Sequence, residues 1–337
     1  MKKFKKSKIL YYIDPIEGYR EELKNELKKI FKEVTFIGGG FPKKEERSKS
    51  FKILRELQGI KIFKKFFLKK QIKYINKILK NIENYDYFLA VGTGEFSIDF
   101  MKKLKKKNPT IKTVLFLWDK VKYLPKKFNL EEFDYIFSFD KEDCKEYGYI
   151  FRESFYITNL KSYEKKEYDL YYLGALREEK RYKKLVKLKK FLEKNNLKYN
   201  LKLYIDKELE KKLNTSLDEK IVIREKIGYL ENLLEVRKSK CILEINYKDQ
   251  NGLTLRSMES ILGKTKLITD NSNIKEYDFY SENNVYIISS IDDLDKIPIE
   301  FFEKEYEELP EKIREKYSCE GFLKEILEKL SEGNNYD

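Results

Sequence analysis

Short apolar runs that alternate with charged segments of helical spacing constrain this chain more than any other feature. "KILYYI" (8–13) is followed by "EELKNELKKIF" (21–31) and then by "EVTFIGGG" (33–40). The pattern repeats in "YDYFLAVGTGEFS" (85–97), a helical stretch around "IDFMKKLKKKN" (98–108), "TVLFLWD" (113–119) and "FDYIFSFDKEDCKEYG" (133–148). Strand-sized runs separated by amphipathic helices imply parallel pairing, because a parallel neighbour needs a crossover of helical length. The expected class is α/β, with each sheet covered by helices.

At 337 residues the chain exceeds the usual size of one core, so two domains of similar length are expected. The polar stretch "TNLKSYEKKE" (158–167) reads as the linker, and after it the pattern restarts with "YDLYYLGALREEKRYKKLVKLKKFLEKN". "YNLKLYI" (199–205), "KIVIREKI" (220–227), "KCILEINY" (240–247), "TKLITD" (265–270) and "NVYIIS" (284–289) supply five further strand candidates. The predicted division is 1–160, 161–315, and a C-terminal amphipathic helix in 316–337 that packs back on the first domain.

Composition excludes several chemistries. The chain has no histidine, which rules out Ser-His-Asp hydrolysis, Cys-His proteolysis and His-ligated zinc, and leaves Asp, Glu, Tyr, Lys or a substrate group as general base. Cys144, Cys241 and Cys319 are widely spaced, so no disulfide framework or zinc site is indicated and a reducing cytoplasm is expected. The apolar run "ILYYI" stops at Asp14 and Pro15, too short for a signal-peptide core. The formal charge of +14 points to anionic partners, although AT-rich coding would also produce this excess of Lys, Asn, Ile and Tyr. The segment 51–82 has helical spacing with dense Lys between aromatics; a helix packed on the sheet and a helix lying on a membrane surface both fit it.

"GTGEFS" (92–97) is not a dinucleotide fingerprint, since Ser97 stands where a third glycine is required. Its glycines make a tight turn or let Glu95 project into a cleft. Asp119, Asp140 and Asp143 follow apolar strands, where helix capping is the default role and a catalytic carboxylate the alternative. In "LGALREEKR", Gly174 ends a strand in a glycine turn and Arg177, Lys180 and Arg181 open a helix, a combination suited to a diphosphate; a solvated helix start is the plain alternative. In "QNGLTLRSMESILGKTKLITDN" (250–271), Gly252 makes a strand-to-helix turn, Thr254 is the expected N-cap and Gly263 ends the helix. Arg256 and Glu259 fall three apart, off the stripe of Leu255, Met258, Ile261 and Leu262. A carboxylate there suits ribose hydroxyls and an arginine suits phosphates; a surface ion pair is the plain alternative.

These pieces, "QNGLTLRSMESILGKTKLITDN", "YDLYYLGAL", "VLFLWD" and "FDYIFSFDKEDCKEYG", resemble in type and order the GT-B glycosyltransferases of bacterial lipopolysaccharide core and capsular polysaccharide synthesis. The resemblance implies two Rossmann-like domains facing across a cleft, with a nucleotide-sugar held mainly by the second. It implies donor contacts from Gly174, Arg177, Lys180, Asn251, Gly252, Leu253, Thr254, Arg256 and Glu259, with Glu259 on the ribose. It also implies sugar transfer without metal or cofactor, the departing diphosphate being neutralised by Arg177, Lys180, Arg256 and helix N-termini. For an inverting displacement Glu95 is the first choice of base and Asp119 the second. The retaining-type Glu-x7-Glu motif is broken, because Asn251 stands at its first position. The implied acceptor is a glycan or lipid-linked glycan, with an anionic membrane surface touched by "KIFKKFFLKK" (61–70) at the cytoplasmic inner face, and no nucleic acid is expected. Two readings compete: a basic nucleic-acid-binding protein, and a non-catalytic nucleotide-binding scaffold of the same fold.

Overall fold

The computed structural model describes residues 2–37, 66, 73, 76–77, 79–92, 98–124, 130–157, 165–176, 179–212, 216–246 and 252–332. Most of the Lys-rich segment 51–82, including nearly all of 61–70, lies outside these residues, as do Glu95, Arg177 and Asn251. The chain divides into two compact units, Met1–Arg152 with Leu323–Asp337, and Glu153–Phe322.

The first unit is built on β1 (Lys8–Ile13), β2 (Glu33–Phe36), β3 (Tyr87–Val91), β4 (Lys112–Leu117), β5 (Tyr135–Ser138) and the two-residue β6 (Ile150–Phe151). All pair in parallel in the order β2-β1-β3-β4-β5-β6. Central strands β1, β3 and β4 are buried on both faces, which is why they read as unbroken apolar runs rather than alternating ones. Helix α1 (Tyr19–Ile30) buries Tyr19, Leu23, Leu27 and Ile30, with acids in its first turn and lysines in its last, matching the helix dipole at both ends. Helix α2 (Ile98–Lys107) adds Phe100, Met101 and Leu104 to a core of Leu10, Phe88 and Leu115. Helix α3 (Lys141–Tyr147) is capped by Asp140, which accepts from the N–H groups of Glu142 (3.1 Å) and Asp143 (3.0 Å). Capping, the default expected for Asp140, is what the structure shows.

The second unit contains β7 (Tyr168–Ala175), α4 (Glu179–Lys194), β8 (Tyr199–Tyr204), α5 (Lys207–Lys212), β9 (Val222–Ile223), α6 (Tyr229–Arg237) and β10 (Ser239–Glu244). It continues with α7 (Leu255–Gly263), β11 (Lys266–Thr269), β12 (Val285–Ile287), α8 (Ile299–Glu303) and α9 (Glu311–Tyr317), and the division from the first unit falls within α10 (Cys319–Glu332). The sheet order is β12-β11-β10-β7-β8-β9, all parallel. Numbered from β7 and read from the β9 edge this is 3-2-1-4-5-6, the doubly wound order whose direction reverses between β7 and β10. The strand expected over 220–227 shortens to β9, because it is an edge strand and Arg224 turns away to pair with Glu210 (2.7 Å) and Glu219 (2.6 Å).

Candidate functional site

In a doubly wound sheet, adjacent loops leave in opposite directions at the reversal point and open a crevice at the carboxyl ends of the strands. A pocket of about 380 Å³ occupies that position in the second unit. The end of β7 supplies Leu173, Gly174 and Ala175, β8 supplies Tyr204, and Lys226 with Ile227 approaches from the chain before α6. Helix α6 contributes Tyr229 and Asn232, and α7 contributes Leu255, Arg256 and Glu259.

The start of α7 is fixed from within. Thr254 is the N-cap, its hydroxyl accepting from the Arg256 N–H at 2.9 Å, and the same hydroxyl donates to Glu244 at the end of β10. The other Glu244 oxygen accepts from the Thr269 hydroxyl at 2.5 Å, and Thr269 in turn accepts from the Asn271 N–H at 3.0 Å. The Asn271 side chain reaches back to the Gly252 carbonyl (3.3 Å). One buried carboxylate thus ties together the turns that follow β10 and β11. Lost hydration pushes its pKa up, while the Thr254 and Thr269 hydroxyls pull the other way.

Arg256 and Glu259 do lie off the apolar stripe of α7, but they are not a surface pair. They meet at 2.5 Å with side chains only 16% and 5% exposed, because α6 and the end of β7 cover that face. Asn232 donates to Glu259 Oε1 (2.9 Å) and accepts from the buried Tyr171 hydroxyl (3.1 Å) and from Arg256 (3.3 Å). The second Arg256 terminal nitrogen donates to the Leu173 carbonyl at 2.8 Å. Burial pushes the Glu259 carboxyl above its ordinary range, opposed by Arg256 and Asn232. For Arg256, burial alone would lower the pKa, and the attraction of Glu259 and other nearby groups outweighs it.

Of the residues selected from sequence, Gly174, Arg256 and Glu259 line this pocket. Gly252, Leu253 and Thr254 form the turn beneath the start of α7, and Lys180 is exposed on α4, not among the lining residues. Gly174 is not a turn residue, since it pairs with Leu203 inside the sheet; its missing side chain makes room for the Tyr172 phenol, which a Cβ would meet at 2.2 Å. Gly263 is the last helical residue, and the left-handed position that ends α7 is Lys264 (φ 47°).

The first unit has its own carboxyl-edge cluster, where the strand order reverses between β1 and β3. Asp14 accepts from Tyr12 (2.7 Å) and from Trp118 (3.3 Å) and lies against Gly92. Gly92 is left-handed (φ 100°), and a Cβ there would meet Asp14 Oδ2 at 2.2 Å. Asp119 is exposed along one side, yet surrounding protein strips part of its hydration. That loss, and then the Asp14 charge, pushes its carboxyl above the ordinary range. Its loop is held at two points: buried Lys120 pairs with Asp140 (3.2 Å) and Glu142 (2.7 Å), and the Val121 N–H donates to Asp143 (2.8 Å).

Sequence reasoning does not reach Asn232, Glu244 or Lys120. Glu244 ends an apolar strand, the same signal that marks Asp119, and could have been found that way. Asn232 carries no local signal, since its partners lie 27 and 61 residues away. Among the described residues no group of three or more His, Cys, Asp or Glu could hold a metal ion, and no helix is long and apolar enough to cross a membrane.

No family profile matches the chain, and no curated protein matches it. Solved structures do. An alpha-glucosyltransferase in complex with UDP-glucose and DNA containing an abasic site is 17% identical, with 96% of this chain and 99% of that one covered at a TM-score of 0.54. An alpha-glucosyltransferase in complex with UDP and a 13-mer DNA containing an HMU base is 15% identical, with the same coverage and TM-score. A protein from Listeria monocytogenes, provisionally named a UDP-N-acetylglucosamine 2-epimerase, is 13% identical over 98% of both chains, again at 0.54. At this level of identity the likeness speaks for the fold, and with the two doubly wound sheets it shows that the chain has the α/β GT-B fold.

Proposed function

We propose that the chain is a glycosyltransferase that moves a sugar from a nucleoside-diphosphate sugar to an acceptor hydroxyl, without a metal or other cofactor. The observation that carries this reading is the buried Arg256–Glu259–Asn232 constellation in a pocket at the reversal point of the second sheet. A carboxylate in such a pocket accepts ribose hydroxyls, and the start of α7 with its cap, Gly252, Leu253 and Arg256 meets the diphosphate. Arg256 spends donors on Glu259, Asn232 and Leu173 but has five, so it retains capacity for phosphate. Gly174 lines the pocket, and Arg177, Lys180 and Asn251 are kept as donor contacts on the resemblance alone. Fold likeness to structures holding UDP-glucose and UDP supports uridine as the nucleoside.

In a single displacement, the acceptor oxygen attacks the anomeric carbon, the nucleoside diphosphate departs, and a carboxylate takes the acceptor proton. Asp119 suits that last role, because a carboxyl raised by lost hydration and by Asp14 binds a proton more readily. Glu95 remains the alternative on sequence grounds. Titration with UDP and UDP-glucose tests the donor half: both should bind, and Glu259→Gln should weaken the binding of both by about tenfold while leaving the thermal unfolding curve cooperative. Unchanged affinity in that variant would remove the ribose assignment.

For the acceptor, the resemblance supports a lipopolysaccharide, capsular or other lipid-linked glycan, met at the cytoplasmic membrane face through 61–70. A second reading, a hydroxyl carried on DNA, is favoured by the net charge of +14 and by the DNA in two structures of like fold. The expectation that nucleic acid plays no part is therefore not kept. Labelled UDP-glucose offered with HMU-containing DNA and, separately, with a lipid-linked glycan distinguishes the two by which product carries the label.

A further inference from the structure

We propose that Asn232 makes this pocket selective for ribose over 2′-deoxyribose by holding the Glu259 carboxylate in a fixed orientation. The inference rests on Glu259 being the ribose acceptor, and it assigns a positioning role to a residue on a different helix.

A carboxylate offers about four lone-pair sites, two on each oxygen. Here Oε1 accepts from Asn232 Nδ2 at 2.9 Å and Oε2 accepts from Arg256 Nη1 at 2.5 Å. One site remains on each oxygen, which is the arrangement that receives two adjacent hydroxyls at once. Arg256 alone would not secure it. It touches Glu259 through a single nitrogen and commits the other to the Leu173 carbonyl, so the carboxylate plane could rotate about that one contact. The Asn232 contact removes this freedom.

The Asn232 amide is itself fixed. Its oxygen faces two donors, the Tyr171 hydroxyl at 3.1 Å and the Arg256 guanidinium at 3.3 Å, so its NH₂ must face Glu259. Tyr171 is fully buried and Asn232 is 3% exposed, so water cannot stand in for either. The chain Tyr171–Asn232–Glu259 thus carries a rigid strand position of β7 through α6 to the ribose side of the pocket. A site built around two hydroxyls discriminates strongly against a ligand that lacks one, because a buried acceptor is then left unpaired.

The experiment compares the affinities of UDP and 2′-deoxy-UDP by isothermal titration calorimetry on the full chain. The wild type should favour UDP by about tenfold or more, and Glu259→Gln should bring the ratio close to one. Asn232→Leu should bring it to within about twofold. Asn232→Ala removes the donor to Glu259 without adding a charge, so it should lose the preference as well, and a cooperative unfolding curve shows that the fold stands. If both Asn232 variants keep the wild-type ratio while Glu259→Gln loses it, the positioning role is overturned and the ribose role of Glu259 stands. If the wild type itself shows no preference, the ribose reading fails and the inference falls with it.

Discussion

Replacing Arg256 by Met tests the energetics of the candidate site most directly. The substitution keeps much of the side-chain volume but leaves Glu259, 4% exposed, with Asn232 as its only partner there, and takes a donor from the Leu173 carbonyl. Removing one member of a buried pair costs about 3–5 kcal/mol, because the remaining charge is neither solvated nor paired. A value near 4 kcal/mol would be a large part of the roughly 5–15 kcal/mol that holds a domain together. The loss should also depend on pH. Burial already sets the Glu259 carboxyl above its ordinary range, so between its unfolded and folded pKa values the native state holds the proton more tightly. Its contribution to stability is present below the unfolded value and is lost as pH rises through the folded one. Without Arg256 that window extends upward, so the variant should suffer less at pH 5.5 than at pH 7.5. The difference should approach about 1.4 kcal/mol for each pH unit inside the window. Urea unfolding followed by far-UV circular dichroism at both pH values measures it, and Arg256→Met combined with Glu259→Leu should recover most of the loss. A cost below about 1 kcal/mol, equal at the two pH values, would mean that the pair is solvated and the burial argument wrong.

Gly92→Ala should destabilise the first unit by about 1–3 kcal/mol, since it combines a left-handed backbone with a Cβ driven into Asp14 and against Trp118 Nε1; combining it with Asp14→Ala should relieve the Asp14 share of the clash and leave the rest, read from thermal unfolding. Lys120→Met should cost about 3 kcal/mol by stranding the buried Asp140, and Trp118 fluorescence reports whether the Asp119 loop has moved; an unchanged spectrum and melting point would show that the loop does not depend on this contact. Burial lowers the Lys166 ammonium to about 8. The folded chain therefore gives up that proton before the unfolded chain does, and this group makes stability rise between about pH 8 and its unfolded value near 10.4. Urea midpoints at pH 7.5 and 9.5 should show the rise in the wild type relative to Lys166→Met, and parallel behaviour of the two would refute it.

The architecture was legible in the sequence because central parallel strands are buried on both faces, and "KILYYI", "YFLAV" and "TVLFLW" are unbroken for that reason. Thr254 as N-cap and Asp140 as cap were legible too, since capping depends on neighbours two or three residues away. What failed was whatever depended on distant packing. A three-residue spacing puts Arg256 and Glu259 together but does not reveal that α6 covers them, so a surface pair and a buried constellation look alike in sequence. Gly174 looked like a turn because glycine breaks strands on average; here Tyr172, two residues earlier on the same strand, occupies the space a side chain would take. The strand expected over 220–227 ran too long because apolar alternation does not register that Arg224 has carboxylates waiting outside the sheet.

The bracket centred on Glu244 has a bearing on how such sequences drift. Each oxygen of that carboxylate is committed to one threonine hydroxyl, and each hydroxyl is committed to one backbone N–H. Exchanging either threonine for valine conserves shape but strands an acid in the interior, and exchanging the acid for an apolar residue strands two hydroxyls. Positions 244, 254 and 269 are therefore tied as a set and should change together across descendants of this chain, Ser for Thr being the mildest step. For a protein that shares only 13–17% of its residues with structures of its own fold, such a correlated trio is a marker by which remote relatives could be traced when overall identity no longer helps.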